Sequence, residues 1–254
     1  PIVCLHGGFH SASCVHRLLP DLAARGIPAY ALSFPAHGES HHLPLFKHLT
    51  LSKHQLAEDA ARALAHVRAL HPSRPPPVLL GHSAGGGIAQ LVLDGQRGRS
   101  TDSSVSGLIL LAAFPASGGL PVFVNWAKLD PGLGLRTLRL GGHPKAALWT
   151  PALARRAFFS RAFPADGPAL DEVWSLLEPL ESLAWPAGLI LRFADEARVK
   201  WATRGRVAVI GGAEDALMTP PVVQATARAY GVEAVLVDGC GHDVMLDQNA
   251  AAGH

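Results

Sequence analysis

A chain of 254 residues is long enough for one α/β domain with an insertion, and 48% hydrophobic residues supply a large core. A net charge of only +2, without a basic stripe, excludes the electrostatic footprint of a nucleic-acid-binding protein. No apolar run reaches the length that spans a membrane. Three cysteines without disulfide or zinc spacing favour a reducing compartment, and we expect a cytoplasmic location.

The first third of the chain alternates between strand and helix patterns. The apolar run at 1–5 predicts a buried strand that ends at the His6-Gly7-Gly8 turn. Helical spacing over about 13–24 predicts a helix, and a strand follows over 29–34. Ser52 has the position of an N-cap for a helix that runs to about Leu70.

The remainder continues this alternation, apart from one long interruption. Strands are predicted at 78–80, 108–111, 207–210 and 235–237, with a helix over 220–230 and a loop at 95–106. Residues 114–201 read as mainly helical and break the alternation. We therefore predict an α/β core of 1–113 and 202–254, with a helical cap at 114–201. About six strands form a mainly parallel sheet, whose ligand site lies at the strands' carboxyl ends.

Gly81-His82-Ser83-Ala84-Gly85 has the G-x-S-x-G pattern between a predicted strand and a predicted helix. The glycines allow a sharp turn that exposes the Ser83 hydroxyl at a helix N-terminus. A serine hydroxyl is a weak nucleophile and needs a base. The pattern therefore predicts Ser83 as the nucleophile of a hydrolase.

Two further residues complete a predicted triad. His242 follows the last strand in a Gly-x-Gly-His loop and is the candidate base. Asp215 follows the preceding strand and is the candidate acid that orients the histidine. The competing acids are Glu214, Asp243 and Asp238.

A tetrahedral intermediate needs preorganised N–H donors. We predict that two backbone N–H groups are these donors. One is that of Ala84, after the nucleophile, and the other is that of Gly8, after the first strand, with Phe9 as the alternative to Gly8.

These segments together resemble the α/β-hydrolase superfamily in its serine-nucleophile branch. The matching motifs span nearly the whole chain and are 6–8, 34–40, 81–85, 211–215 and 241–242. Two strands that usually precede the His-Gly turn are missing, as in the plant methylesterase and hydroxynitrile lyase branch. The resemblance implies the α/β-hydrolase fold, the triad above, and neither a metal nor an organic cofactor.

Aromatic residues concentrate in the predicted cap, which holds all five tryptophans. Such residues commonly line apolar substrate pockets. We expect the pocket to include Phe9, His82, Trp126, Trp149, Phe158 and Phe159. The histidines at 37, 41, 42, 48 and 54 lack the companion spacing of a metal site and are read as a solvated loop and helix start.

The expected function is an esterase or lactonase that acts on an apolar small molecule. A fold cannot choose among chemistries, so C–C bond hydrolase, lyase and cyclase reactions on the same triad remain alternatives. A lyase of the plant type carries a lysine near the nucleophile, and Lys128, Lys145 and Lys200 are the candidates. A non-catalytic small-molecule receptor is the second class of function. The oligomeric state is left open, with a homodimer among the options.

Overall fold

A computed structural model describes residues 1–95, 105–141 and 143–251 of the chain. Six parallel strands form the central sheet, and their bounds are β1 (Ile2–Leu5), β2 (Ala29–Leu32), β3 (Val78–His82), β4 (Gly107–Leu111), β5 (Val207–Gly212) and β6 (Ala234–Val237). The predicted strand count and parallel direction are confirmed. Most of the loop predicted at 95–106, namely 96–104, lies outside the described residues.

Helices connect these strands. Their bounds are α1 (Leu18–Ala24), α2 (Leu45–Leu49), α3 (Lys53–Leu70), α4 (Ser83–Asp94), α5 (Leu120–Leu129), α6 (Leu133–Arg139), α7 (Pro151–Phe158), α8 (Pro168–Ser175), α9 (Ala184–Ala187), α10 (Glu196–Ala202), α11 (Pro220–Tyr230) and α12 (Val244–Ala251). Short 3-10 helices lie at Ala12–Val15 and Pro144–Leu148.

The helix predicted over about 13–24 is divided into a 3-10 turn and α1. Pro20 explains the division, because proline has no N–H for a helix interior but is tolerated in a first turn. The helix predicted after Ser52 forms with the expected N-cap. The Ser52 hydroxyl accepts from Gln55 N–H, and the Gln55 side chain accepts from Ser52 N–H, which is a capping box.

The strand order is β2-β1-β3-β4-β5-β6. The chain leaves β1 toward β2 on one side and leaves β3 toward β4 on the other. Neighbouring parallel strands whose connections diverge in this way leave a crevice at their carboxyl ends, where ligands bind in such sheets. That crevice lies between the turn after β1 and the start of α4.

Helices cover both faces of the sheet, and the strand residues alternate between them. Val3 and Leu5 of β1 belong to the large core cluster that includes residues of α3, α4, α10 and α11. Cys4 lies between them and belongs to a smaller cluster with Val15 and Val244. This period of two is what a strand buried on both faces requires.

The segment between β4 and β5 has two parts. The part up to α9 includes helices whose side chains line a cavity beside Ser83. By contrast, α10 packs on α4 and α11, and Asp195 N–H at its start donates to Asp94 at the end of α4. The sequence-based boundary at 201 therefore assigns to the cap a helix that packs with the core.

Among the described residues, no helix combines the length and apolar character needed to cross a bilayer. Cys4, Cys14 and Cys240 are buried, and none of them forms a disulfide. Burial raises the pKa of the Cys4 thiol to about 12, so this cysteine packs as a neutral side chain.

The turn between β3 and α4 requires glycine because of close backbone approach. A Cβ on Gly81 would lie 2.5 Å from the Gly86 Cα, and a Cβ on Gly85 would lie 2.2 Å from the His6 carbonyl oxygen. Both distances are far inside van der Waals contact. Glycine at position 81 therefore lets the turn after β3 close on itself, and glycine at position 85 lets that turn lie against the turn after β1.

We expect Gly85→Ala to lower the free energy of unfolding by roughly 2–4 kcal/mol, because the added methyl group overlaps the His6 carbonyl. Gly134→Ala is the matched control, since it lies in α6 with no heavy atom within 4 Å of the added Cβ. Alanine there should be neutral or stabilise the protein by about 0.5–1 kcal/mol. Urea unfolding of both variants gives the comparison, and equal stabilities would contradict the tight approach.

Candidate active site

Ser83 lies in the sharp turn between β3 and α4, where it is the first residue of the helix. Its φ of 52° is in the left-handed region, which is strained for a residue with a side chain. The tight packing of Gly81 and Gly85 holds this conformation. The strained turn directs the hydroxyl group away from the helix and toward the residues that follow β5 and β6.

Three side chains form a hydrogen-bonded chain at the carboxyl ends of the strands. The Ser83 hydroxyl lies 2.9 Å from His242 Nε2, and His242 Nδ1 lies 2.8 Å from Asp215 Oδ2. Asp215 follows β5 and His242 follows β6. All three residues are buried. The geometry has the spacing that a nucleophile, a base and an orienting acid require.

Asp215 is held in place by its second oxygen. Its Oδ1 accepts the backbone N–H groups of Leu217 and Met218, each at 2.8 Å. The competing acids lie elsewhere: Glu214 accepts the Arg161 N–H at 2.9 Å, and Asp238 is exposed. The third competitor, Asp243, pairs with His10 at 2.9 Å instead of with the ring of His242.

Burial alone would lower the pKa of His242, but the adjacent Asp215 carboxylate raises it above the ordinary histidine value. A raised pKa means that the imidazolium form is stabilised by the carboxylate. That is the form which the ring would adopt if it took a proton from Ser83. The electrostatic environment therefore suits a general base.

In the turn after β1, the orientation of the peptide between Gly7 and Gly8 leaves the Gly8 N–H without an acceptor among the described residues. The Gly7 carbonyl accepts from His6 Nδ1–H at 2.8 Å and from His10 N–H at 3.3 Å. Since C=O and N–H point in opposite directions in a trans peptide, the Gly8 N–H lies on the other side. Neither this N–H nor that of Ala84 meets an acceptor in the parts of the chain that the structure describes.

The Phe9 N–H is engaged, because it donates to Glu181 Oε2 at 2.8 Å. Of the two choices for this donor, Gly8 is therefore the free one. The His6 ring that orients the Gly7 carbonyl is itself fixed, since its Nε2 accepts the Phe34 N–H at 3.0 Å. Burial holds the pKa of His6 well below its ordinary value, so the ring stays neutral in this tautomer.

A cavity of about 180 Å³ opens beside Ser83. Fourteen residues line it, most of them apolar: Gly8, Phe9, Ser83, Ala84, Phe114, Val122, Phe123, Trp126, Leu133, Ala147, Phe158, Glu181, Pro186 and Leu217. Of the expected pocket residues, Phe9, Trp126 and Phe158 are present. Phe158 also stacks on the His242 ring, with centroids 5.7 Å apart. Side chains from the segment between β4 and β5 thus reach the cavity beside Ser83.

A family model for the alpha/beta hydrolase family matches residues 2–252. The chain belongs to the alpha/beta hydrolase family.

Solved structures agree on the fold at low sequence identity. A thermophilic esterase from Thermogutta terrifontis is 19% identical, with a TM-score of 0.71 over 98% of this chain and 85% of that one. Polyneuridine aldehyde esterase is 20% identical, with a TM-score of 0.66 over 98% and 94%. A pyrethroid hydrolase from Sphingobium faniae JZ-2 is 20% identical, with a TM-score of 0.61 over 99% and 94%. No curated protein sequence matches the chain.

The structure of this hydrolase places three expected pocket residues outside the cavity lining. His82 is buried behind His242, with its Nε2 3.2 Å from the His242 carbonyl, and burial lowers its pKa to about 3. Phe159 lines a neighbouring cleft beside Asp215. Trp149 is 44% exposed and contacts His143. Sequence alone could not separate these side chains from those in the cavity, because His82 ends a strand while Trp149 and Phe159 each follow the end of a helix, where no helical or strand period sets the side-chain direction.

Glu181 is a cavity residue that the sequence analysis missed. Both of its carboxylate oxygens lie 3.3 Å from His37 Nε2. The interpretation of the histidine stretch as solvated is therefore wrong for His37 and His48, which are buried, and right for His41 and His42. No local signal could have found this pair, because the partners are 144 residues apart.

Two histidine–carboxylate groups have ligand atoms within 4.8 Å of one another: His10, His82 and Asp243, and His37, His48 and Glu181. In the second group, Glu181 already accepts N–H groups from Phe9, Ser182 and Trp185 besides facing His37. In the first group, Asp243 already binds His10. In both groups the carboxylate is thus already engaged in a hydrogen-bond network with a histidine.

The lysines proposed for lyase chemistry lie away from the nucleophile. Lys145 packs over the Trp174 ring, with its Nζ 5.1 Å from the centroid. Lys128 is exposed on α5, and Lys200 lies on α10. No lysine is among the described residues that line the cavity at Ser83.

We expect kcat/KM to rise with pH through the titration of His242, since only the neutral ring can accept the Ser83 proton. Because Asp215 raises the pKa of His242, the midpoint should lie above the ordinary histidine value of about 6.5. The measurement is a pH profile of ester hydrolysis. Glu214→Gln is the matched control and should leave the midpoint unchanged, because the Glu214 carboxylate contacts Arg161 instead. A midpoint well below pH 6 would contradict this assignment.

Proposed function

We propose that the chain is a serine hydrolase that cleaves a carboxylic ester or lactone of a small apolar molecule through Ser83, His242 and Asp215. The observation that carries the proposal is the continuous chain of short contacts, 2.9 Å from Ser83 to His242 and 2.8 Å from His242 to Asp215. Structural neighbours named as esterases and a pyrethroid hydrolase support an ester bond as the target.

In the proposed reaction, Ser83 Oγ attacks the substrate carbonyl carbon while its proton passes to His242 Nε2. The N–H groups of Gly8 and Ala84 stabilise the negative oxygen that forms. His242 then donates the proton to the departing alcohol, which leaves Ser83 acylated. A water molecule, deprotonated by His242, attacks the acyl group, and the acid leaves as Ser83 regains its proton. Asp215 holds the ring and stabilises its charged form.

The cavity favours a small acyl group. Its volume of about 180 Å³ is below the roughly 300–1,000 Å³ of pockets for drug-sized ligands. Phe114, Phe123, Trp126 and Phe158 give it an apolar wall. Burial of apolar substrate atoms there excludes water from the acyl-enzyme and strengthens the electrostatic contacts within the site.

The alternatives share the triad and differ in the bond that is broken or formed. C–C bond hydrolases and cyclases would use the same nucleophile and base. A lyase of the plant type would also need a lysine near Ser83, and none is found among the described residues that line the cavity. A non-catalytic receptor would bind ligands without turnover. A fluorophosphonate probe tests whether Ser83 is reactive, and product formation from nitrophenyl esters separates an esterase from a receptor.

We expect Ser83→Ala to reduce ester turnover by about 10⁴-fold or more, because the nucleophile is removed. The fold should persist, since the change deletes a single hydroxyl oxygen. Hydrolysis of nitrophenyl acetate, fluorophosphonate labelling and circular dichroism check the three parts of this expectation. Wild-type turnover in a folded Ser83→Ala protein would overturn the proposal.

We expect Trp126→Ala to shift preference from short toward longer nitrophenyl esters, because it removes an indole from the cavity wall. A change of about tenfold in the ratio of kcat/KM for octanoate to that for acetate would be in line with roughly 1.4 kcal/mol of differential binding. Trp149→Ala is the matched control, since that side chain lies outside the cavity. The same shift in both variants would show that the cavity does not set chain length.

A further inference from the structure

The peptide group between Gly8 and Phe9 is hydrogen-bonded at both ends by buried side chains. Its carbonyl, that of Gly8, accepts from His10 Nδ1–H at 2.6 Å. Its N–H, that of Phe9, donates to Glu181 Oε2 at 2.8 Å. This peptide directly follows the Gly8 N–H assigned to the oxyanion. Its orientation therefore fixes the backbone torsion on one side of that donor.

The conformation held in this way is strained. Phe9 has a φ of 61°, in the left-handed region that non-glycine residues rarely adopt. Such a residue persists only when its surroundings compensate for the backbone strain. A charge-assisted hydrogen bond from the Phe9 N–H to a buried carboxylate is a strong compensating contact.

Glu181 is itself rigidly placed. Its Oε1 accepts the Ser182 N–H and the Trp185 indole N–H, each at 2.6 Å. Burial would raise the pKa of Glu181, but the hydrogen bond from His37 holds it below its usual value. The carboxylate is thus ionised, fully hydrogen-bonded and unable to turn away from Phe9 without leaving a buried charge unpaired.

The other end of the peptide is tied to the triad side of the site. His10 Nε2 lies 2.9 Å from Asp243 Oδ2, and Asp243 directly follows His242. The ring of His10 also contacts Phe158, which stacks on His242. The turn after β1 is therefore held between the loop of the base and the segment that carries Glu181.

We propose that Glu181 is a positioning residue that holds the oxyanion turn: by binding the Phe9 N–H, it keeps the Gly8–Phe9 peptide in its strained orientation and so aims the Gly8 N–H at the reacting carbonyl oxygen. The inference rests on the proposed function of Ser83. Glu181 lies in the segment between β4 and β5 and acts on the turn after β1 through the backbone N–H of Phe9. Removal of the carboxylate should weaken transition-state binding more than substrate binding.

The test replaces Glu181→Gln and compares it with Glu178→Gln. A glutamine has only one acceptor oxygen, so it cannot serve both Phe9 on one side and Ser182 with Trp185 on the other. Glu178 is the matched control. Its side chain accepts the Gly38 N–H at 2.7 Å, and its own bond to the oxyanion turn runs from its backbone N–H to the Phe9 carbonyl at 2.8 Å, which the substitution leaves in place. Any change in activity of Glu178→Gln therefore measures the general effect of disturbing the segment that also carries Glu181.

With a nitrophenyl ester, Glu181→Gln should lower kcat about tenfold with KM within about twofold of wild type, below the 10²–10³-fold loss of a complete oxyanion donor. Affinity for an apolar trifluoromethyl ketone should fall by a similar factor. This ketone accepts Ser83 Oγ at its carbon while the proton passes to His242, and its oxyanion then occupies the hole. Glu178→Gln should stay within about twofold on both measures.

Hydrogen exchange of the Phe9 amide gives a readout that does not require turnover, and it should accelerate in Glu181→Gln alone. If Glu181→Gln fails to fold, Glu181→Asp keeps the charge beside His37 but shortens the reach to Phe9, and the same losses are expected. Unchanged kcat and ketone affinity in a folded variant would overturn the inference, as would a rise in KM alone. A wild-type protein without ester turnover would refute the proposed function, while ketone binding and amide exchange would still decide the role of Glu181.

Discussion

The close approach of the turn after β3 to the turn after β1 is the constraint on which the site depends. It exists because Gly85 has no side chain, since a Cβ there would lie 2.2 Å from the His6 carbonyl oxygen. The approach brings the strained Ser83 against the turn after β1, where a Cβ on Gly7 would lie 2.7 Å from the Ser83 Cβ. β1 and β3 are neighbours at the point where the chain's connections diverge, so the crevice needed for a ligand lies at the same place.

Buried charge is distributed on both sides of the proposed nucleophile. Asp215 holds His242 on one side, and Glu181 with His37 lies across the cavity. A third pair, His10 and Asp243, lies behind His242. Buried charges are tolerated when they are paired and hydrogen-bonded, and each of these carboxylates has a histidine partner. The pairs also connect backbone segments far apart in the chain, which limits how the turn after β1 can move.

The segment between β4 and β5 has two roles in the fold. Its earlier part supplies apolar cavity side chains such as Trp126 and Phe158, together with the buried carboxylate of Glu181. Its last helix, α10, packs on α4 and α11 as a crossover helix before β5. One connection therefore shapes the substrate side of the site and also completes the sheet's helical layer.

The sequence by itself determined the features that depend on local pattern. Six parallel strands follow from apolar runs between turn residues, and the α3 N-cap follows from Ser52 and Gln55. The G-x-S-x-G motif and the order Ser83, Asp215, His242 predicted which side chains the structure brings together. These signals work because parallel strands end at one edge of a sheet, so residues after successive strands converge there.

Only the tertiary structure decided features that depend on side-chain direction and on contacts between distant segments. Aromatic content indicated a pocket, but only packing separated Trp126, in the cavity, from Trp149, at the surface. No local sequence pattern around His37 or Glu181 predicts that the two side chains pair, because each is a polar residue in an irregular segment. Their low exposure and mutual contact arise when the chain between β4 and β5 folds back against the turns after β1 and β2, and no periodic pattern encodes that return.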